Sequence, residues 1–162
     1  MKRFAISTLM FIMAIAVIAQ KQVTIKGGTI VPLESTAKIK AADVNVGQTV
    51  DFRVSKDVLV DGIVAIPCGT IAKGTVYEAK RSTAFGTKGR LGIKVRYLTL
   101  PSGDNISFAS SDIYIQGQNR TALSVVVFIF TLLPFPCGSK AVMPLGYEFD
   151  ATVANNTTVT IE

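Results

Sequence analysis

Few residues in this chain could do chemistry, because the sequence contains no histidine. A Ser-His or Cys-His nucleophile pair is therefore excluded, and two cysteines do not supply the four ligands of a structural zinc site. The adjacent Ser55 and Lys56 would point to opposite faces of a strand, where one cannot activate the other. Asp57 and Asp61 bracket a short apolar stretch, and we expect them to be its two solvated ends. The sequence therefore predicts a protein that is not an enzyme and holds no cofactor.

The two cysteines lie in similar settings, Pro67-Cys68-Gly69 and Pro136-Cys137-Gly138. Outside the cytoplasm an even number of cysteines permits a disulfide. A bond from Cys68 to Cys137 would close a loop of about 70 residues, worth on the order of 4 kcal/mol in the chain-entropy account. Spacing alone does not bring the two Cα atoms within bonding distance, so the bonded and the free thiol forms both stay open.

Basic residues cluster between Glu78 and Asp104, a stretch with no acidic residue of its own. One interpretation is the solvated face of a hairpin. The other is a site for an anionic lipid or glycan. Aromatic residues are too sparse here for a base-stacking platform, so nucleic acid is not an expected partner. The candidate anion-binding residues are Lys80, Arg81, Lys88, Arg90, Lys94 and Arg96.

The N-terminus has the pattern of a secretory signal peptide. Lys2 and Arg3 precede an apolar run from Phe4 to Ala19, and small residues at Val17 and Ala19 predict cleavage before Gln20. The run is shorter than the roughly 20 residues that span a bilayer. We therefore predict a cleavable signal over residues 1–19 and a single β domain over 20–162. An uncleaved anchor is the alternative.

A second apolar run, residues 122–135, lies within the predicted insertion 121–136, and no charge lies between Arg120 and Lys140. Runs of this length are more often buried or interfacial than membrane-spanning. Core strands are one interpretation, and a projection that contacts a membrane or a partner is the other. A one-sheet barrel covers only one face of a strand, which keeps the second interpretation open beside the first. The candidate contact residues are Val125, Val127, Phe128, Ile129, Phe130, Leu132 and Leu133.

The rest of the chain consists of short segments of strand composition separated by turn signals. Residues 49–54 alternate polar and apolar, as a half-buried strand does. Residues 58–66 are interrupted by Asp61-Gly62, a strong hairpin signal. Segments 71–79, 91–98, 106–115, 147–153 and 157–161 have strand composition as well. This pattern predicts an all-β fold, a small single-domain barrel or sandwich of short, mostly antiparallel strands with an apolar insertion late in the chain.

The order of these motifs resembles the C-terminal β-barrel of TrbI-like components of conjugation and type IV secretion channels. The resemblance covers about Gly28 to Gly117 and is carried by the turn sequences of residues 28–33, 54–58, 66–74, 90–95 and 101–104, with 143–147 matching the opening of a terminal strand. In that family an apolar projection between late barrel strands reaches the outer membrane, which implies the same role for residues 122–135. The family's cytoplasmic segment, inner-membrane helix and Pro-rich stretch have no counterpart here.

Two functional hypotheses follow. The first is a non-catalytic domain of a bacterial envelope, exported to the periplasm or outer envelope, which acts as a structural or assembly component. It would contact a membrane surface or an envelope protein through residues 122–135, and a homo-oligomer is compatible with it. The second is a soluble binding module that uses the basic hairpin 80–96 for anionic lipid or glycan.

Overall fold

The structure is a computed structural model that describes residues 21–83, 87–117 and 139–161. The described residues form strands and no helix. In chain order the strands are β1 (Lys21–Ile25), β2 (Ile30–Ser35), β3 (Ile39–Lys40), β4 (Thr49–Val54), β5 (Val58–Val60), β6 (Ile63–Ile66), β7 (Ile71–Lys80), β8 (Arg90–Thr99), β9 (Asn105–Ser110), β10 (Asp112–Gln116), β11 (Val142–Met143), β12 (Glu148–Val153) and β13 (Thr157–Ile161).

Six strands close into an antiparallel barrel in the order β8, β7, β4, β2, β12, β9 and back to β8. Closure depends on the length of β8. Its residues 97–99 pair with β9, while residues 90–94 pair with β10, which lies beside the barrel wall. Short antiparallel pairs of β1 with β13, β3 with β11 and β5 with β6 complete the described strands. The prediction of a small all-β barrel is confirmed.

The strands form where the sequence alternates. In β4, Phe52 and Val54 point inward and are buried, whereas their neighbours are exposed or half-buried. Between β5 and β6, Asp61 and Gly62 both have positive φ, at 52° and 80°. That geometry is a type I′ turn, which Asp-Gly favours because its backbone twist matches the twist of the two strands.

The core fills the barrel with branched side chains around one aromatic pair. Phe52 is fully buried, and its ring meets that of Phe149 edge to face with centroids 5.1 Å apart. Gly74 on β7 makes room for it, because a Cβ there would lie 2.9 Å from Phe52 Cε2 and 3.1 Å from Ile93 Cγ2. The barrel is therefore a packed body rather than a pore.

Segment 106–115, expected to continue as strand, is divided between β9 and β10 at Ser111. Ser111 is buried, and its hydroxyl donates to the Val95 carbonyl oxygen at 2.7 Å. The break lets the two halves pair with different parts of β8. The predicted signal 1–19, the insertion 121–136 and Cys137 lie outside the described residues.

Candidate functional site: a basic collar around a pinched neck

Gly117 and Ser139, the described residues on either side of residues 118–138, are held side by side. Gly117 N–H donates to the Gly89 carbonyl oxygen at 2.9 Å, and Gly89 N–H donates to the Ser139 carbonyl oxygen at 3.1 Å. Gly89 immediately precedes β8 and Gly117 immediately follows β10. We call the unit formed by Gly89, Gly117 and Ser139 the neck. The segment containing the second apolar run therefore starts and ends at the same point of the barrel.

Glycine is required at two positions of the neck because backbones approach each other there. A Cβ on Gly117 would overlap the Ser139 carbonyl group, and a Cβ on Gly89 would lie 2.7 Å from the Ala141 nitrogen. The obstructing atoms belong to the backbone and cannot rotate away. The neck thus depends on Gly89 and Gly117 lacking side chains.

Positive side chains surround the neck. Two neighbouring cavities, of about 500 and 220 Å³, share Lys80 and Arg81 in their walls. Lys88 and Arg90, on either side of Gly89, line the larger cavity, whereas Lys140, next to Ser139, lines the smaller one. The six cations of the two walls, which we call the collar, are Lys40, Lys80, Arg81, Lys88, Arg90 and Lys140.

Carboxylates neutralise only part of the collar. Glu78 lies 3.6 Å from Arg90 and 4.0 Å from Lys80. Asp43 lies 3.3 Å from Lys40. Six cations against two carboxylates leave a local excess of four positive charges. The collar is therefore an attractive surface for anions.

The remaining three cations have no carboxylate partner among the described residues. Arg81 donates through Nε and Nη2 to the Ala42 carbonyl oxygen, at 3.1 and 2.8 Å. Lys88 Nζ donates to the Gln116 amide oxygen at 2.5 Å. Lys140 is exposed. Neutral acceptors orient Arg81 and Lys88 without cancelling their charge.

The structure divides the six cations predicted from the sequence into two groups. Lys80, Arg81, Lys88 and Arg90 meet in the collar. Lys94 and Arg96 lie further along β8, roughly 13 and 20 Å from Arg90 at the rise of an extended strand. Lys94 is 3.8 Å from Asp112, so its charge is largely compensated. Lys40 and Lys140 also belong to the collar, but they lie outside the basic stretch between Glu78 and Asp104 and were not predicted from the sequence.

Tyr77 packs across the outer face of the hairpin that carries most of the collar. Its ring covers Gly92, where a Cβ would lie 2.5 Å from two ring carbons, and Tyr114 is the cross-strand partner of Gly92 on β10. Burial raises the pKa of Tyr77, and the nearby Asp112, Glu78 and Tyr114 act in the same direction. This packing connects β7, β8 and β10 beside the neck.

The carboxylates and the cysteine considered from the sequence lie in turns away from the collar. Asp57 accepts a hydrogen bond from Cys68 N–H at 2.6 Å, which holds the turn before β7, and Asp61 is a turn residue. Cys68 is exposed. Because Cys137 lies outside the described residues, the Cys68–Cys137 disulfide stays a prediction, which thiol alkylation followed by mass spectrometry would test.

No group of His, Cys, Asp and Glu side chains within residues 21–83, 87–117 and 139–161 could hold a metal ion. In the same ranges every buried polar side-chain atom has a hydrogen-bond partner. Nor does this part of the chain contain a helix able to cross a membrane.

No protein-family model matches the chain, and no curated protein matches it. Among solved structures the chain is similar to ComB10 of the Com type IV secretion system of Helicobacter pylori. The match has a TM-score of 0.43 and 14% sequence identity, and it covers 85% of this chain and 89% of the ComB10 chain in that structure. The resemblance to a type IV secretion barrel is thereby confirmed as a weak likeness of fold. Likeness at this level says nothing about function.

Proposed function

We propose that this chain is a non-catalytic domain of a bacterial envelope that attaches to a membrane through residues 122–135. The observation that carries the proposal is the neck. The chain between Gly117 and Ser139 starts and ends at one point of a closed barrel, and that point is surrounded by the collar.

The sequence of the segment matches this setting. Residues 122–135 have only Ser124 and Thr131 as polar members. Cations at the boundary of an apolar segment suit a membrane interface, since their side chains reach anionic headgroups while the apolar residues enter the acyl region. Each basic residue near an anionic surface contributes about 1 kcal/mol, so an excess of four charges contributes about 4 kcal/mol.

Flotation with lipid vesicles tests the attachment. Val127, Ile129 and Leu132 are replaced together by Ser in the protein purified after export, whose N-terminus is expected at Gln20 by mass spectrometry. Full burial of each side chain is worth about 1.5–3 kcal/mol, so partial burial predicts a loss of vesicle affinity on the order of a hundredfold.

A matched control removes apolar surface elsewhere. Ile30, Leu59 and Leu145 are 60%, 60% and 67% exposed, and their joint replacement by Ser should leave vesicle binding unchanged. Circular dichroism should show an intact barrel in both triple variants. If the first variant unfolds, residues 122–135 are core and the proposal fails. Equal binding by both variants would place the attachment elsewhere.

A soluble binding module for anionic lipid or glycan is the second candidate, and the collar favours it as well. That module would not need the apolar segment. Its signature is binding to anionic vesicles that survives the triple substitution at Val127, Ile129 and Leu132, and is lost at high salt.

A further inference from the structure

The collar has the features of a discrete anion site and not only of a charged surface. Its two cavities adjoin through a shared wall formed by Lys80 and Arg81. Ser82, Thr83 and Thr87 add hydroxyl groups to the same walls. Ammonium, guanidinium and hydroxyl donors are the groups that proteins use for phosphate oxygens.

Arg81 is held in position before any ligand arrives. Two of its five N–H donors are used by the Ala42 carbonyl oxygen, at 3.1 and 2.8 Å, and the others are left for a ligand. A fixed guanidinium loses little conformational entropy when it binds an anion. Lys88, oriented by Gln116, is restrained in a similar way in the wall of the larger cavity.

Glu78 acts as the internal counter-ion of this site. Its carboxylate is partly buried, with 23% of the side chain exposed, and it contacts both Lys80 and Arg90. Both contacts are long for ion pairs, at 4.0 and 3.6 Å. A phosphate bound by Lys80 and Arg81 would compete with Glu78 for Lys80.

We propose that the collar binds the phosphate group of an anionic phospholipid headgroup, with Lys80, Arg81 and Lys140 as ligands and Glu78 as the group that limits affinity. The proposal rests on the proposed function in one respect, since membrane attachment is what brings the headgroup to the neck. The phosphate chemistry of the site does not depend on it. Inorganic phosphate is therefore the probe that separates the two.

The test measures partition onto phosphatidylcholine vesicles with and without phosphatidylglycerol. Lys80→Gln with Lys140→Gln should weaken binding to the anionic vesicles roughly twenty-five-fold, about fivefold for each cation. The control pair, Lys26→Gln with Lys56→Gln, removes the same charge outside the collar and should change binding less than twofold. If both pairs of substitutions weaken vesicle binding equally, the affinity depends only on net charge, and the proposed site is refuted.

Glu78→Gln should change the affinity for anionic vesicles in the opposite direction. Removing the counter-ion should strengthen binding to phosphatidylglycerol vesicles about fivefold, by the same charge effect. It should also strengthen binding of inorganic phosphate, measured by the chemical shifts of the amides around Gly89 at constant ionic strength. Unchanged affinity in both assays would refute the role given to Glu78 and to the site.

The outcomes separate this site from the membrane attachment. If the protein binds phosphatidylcholine and phosphatidylglycerol vesicles equally and ignores phosphate, the attachment stands and the phosphate site fails. If it binds phosphate at the collar but no vesicle, the site stands with a soluble phosphate as its ligand, and the attachment fails.

Discussion

The neck predicts that Gly117→Ala destabilises the protein although it adds only one methyl group. The new Cβ would overlap the Ser139 carbonyl group, so the two backbones must separate. Separation removes the hydrogen bonds from Gly117 N–H and from Gly89 N–H, now 2.9 and 3.1 Å long. At about 1 kcal/mol for each net bond, the loss is about 2 kcal/mol.

One effect acts in the opposite direction. Replacing Gly by Ala restricts the unfolded chain and stabilises by about 0.4–1 kcal/mol where the backbone is compatible. The expected net decrease in the free energy of unfolding is therefore about 1–2 kcal/mol. For a domain of this size that corresponds to a decrease in Tm of roughly 3–6 °C.

The assay is urea unfolding followed by circular dichroism, with Gly27→Ala as the control. A Cβ on Gly27 would lie 3.2 Å from the Ala154 carbonyl oxygen, a contact that a small shift relieves. Gly89→Ala should behave like Gly117→Ala. Because both changes break the same pair of hydrogen bonds, the double variant should cost less than the sum of the singles. A Gly117→Ala variant as stable as the control, or strict additivity, would refute the reasoning.

Three further predictions concern the core, the outer face and the collar. Gly74→Ala should lower the free energy of unfolding by about 1–3 kcal/mol, because the fully buried Phe52 cannot yield; an unchanged urea midpoint would contradict this packing. The raised pKa of Tyr77 means that the unfolded chain releases this proton first, so stability should fall above about pH 10, the pKa of an unperturbed tyrosine. Tyr77→Phe should flatten that alkaline decline, and parallel curves for the two proteins would argue against it. Salt should weaken binding to phosphatidylglycerol vesicles, with a shallower slope in Lys80→Gln; equal slopes would mean that Lys80 does not contact the anionic surface.

The sequence predicted the strands and turns whose conformation is decided by a few neighbouring residues. The alternation in 49–54 became β4, and Asp61-Gly62 became the β5–β6 turn, because side-chain period and turn conformation are decided within a few residues. The hairpin of β7 and β8 was predicted as well, from two strand segments on either side of a glycine-rich basic loop. Of the six strands of the closed barrel, β4, β7 and β8 are therefore accounted for in this way.

Long-range pairing was not predictable from single segments. β3 and β11 have two residues each, too few to show a side-chain period. They form only because two distant segments of the chain pair with each other in the fold. The break at Ser111 depends on β8 being long enough to pair with two partners along its length. Lys40 and Lys140 come together in the collar because Lys40 pairs with Val142. The two segments are far apart in the sequence, so local composition does not indicate that they meet.

The neck also changes the relation between the two functional hypotheses. From the sequence, the apolar segment 122–135 and the basic hairpin 80–96 are two separate contact sites, one for each hypothesis. Gly89 belongs to the loop of that hairpin, and its backbone bonds both Gly117 and Ser139, the residues on either side of residues 118–138. A surface that reaches the start or the end of this segment therefore also meets Lys88 and Arg90. Apolar contact and anion binding would then act on one partner, so that their free energies add, and neither property alone would account for the affinity.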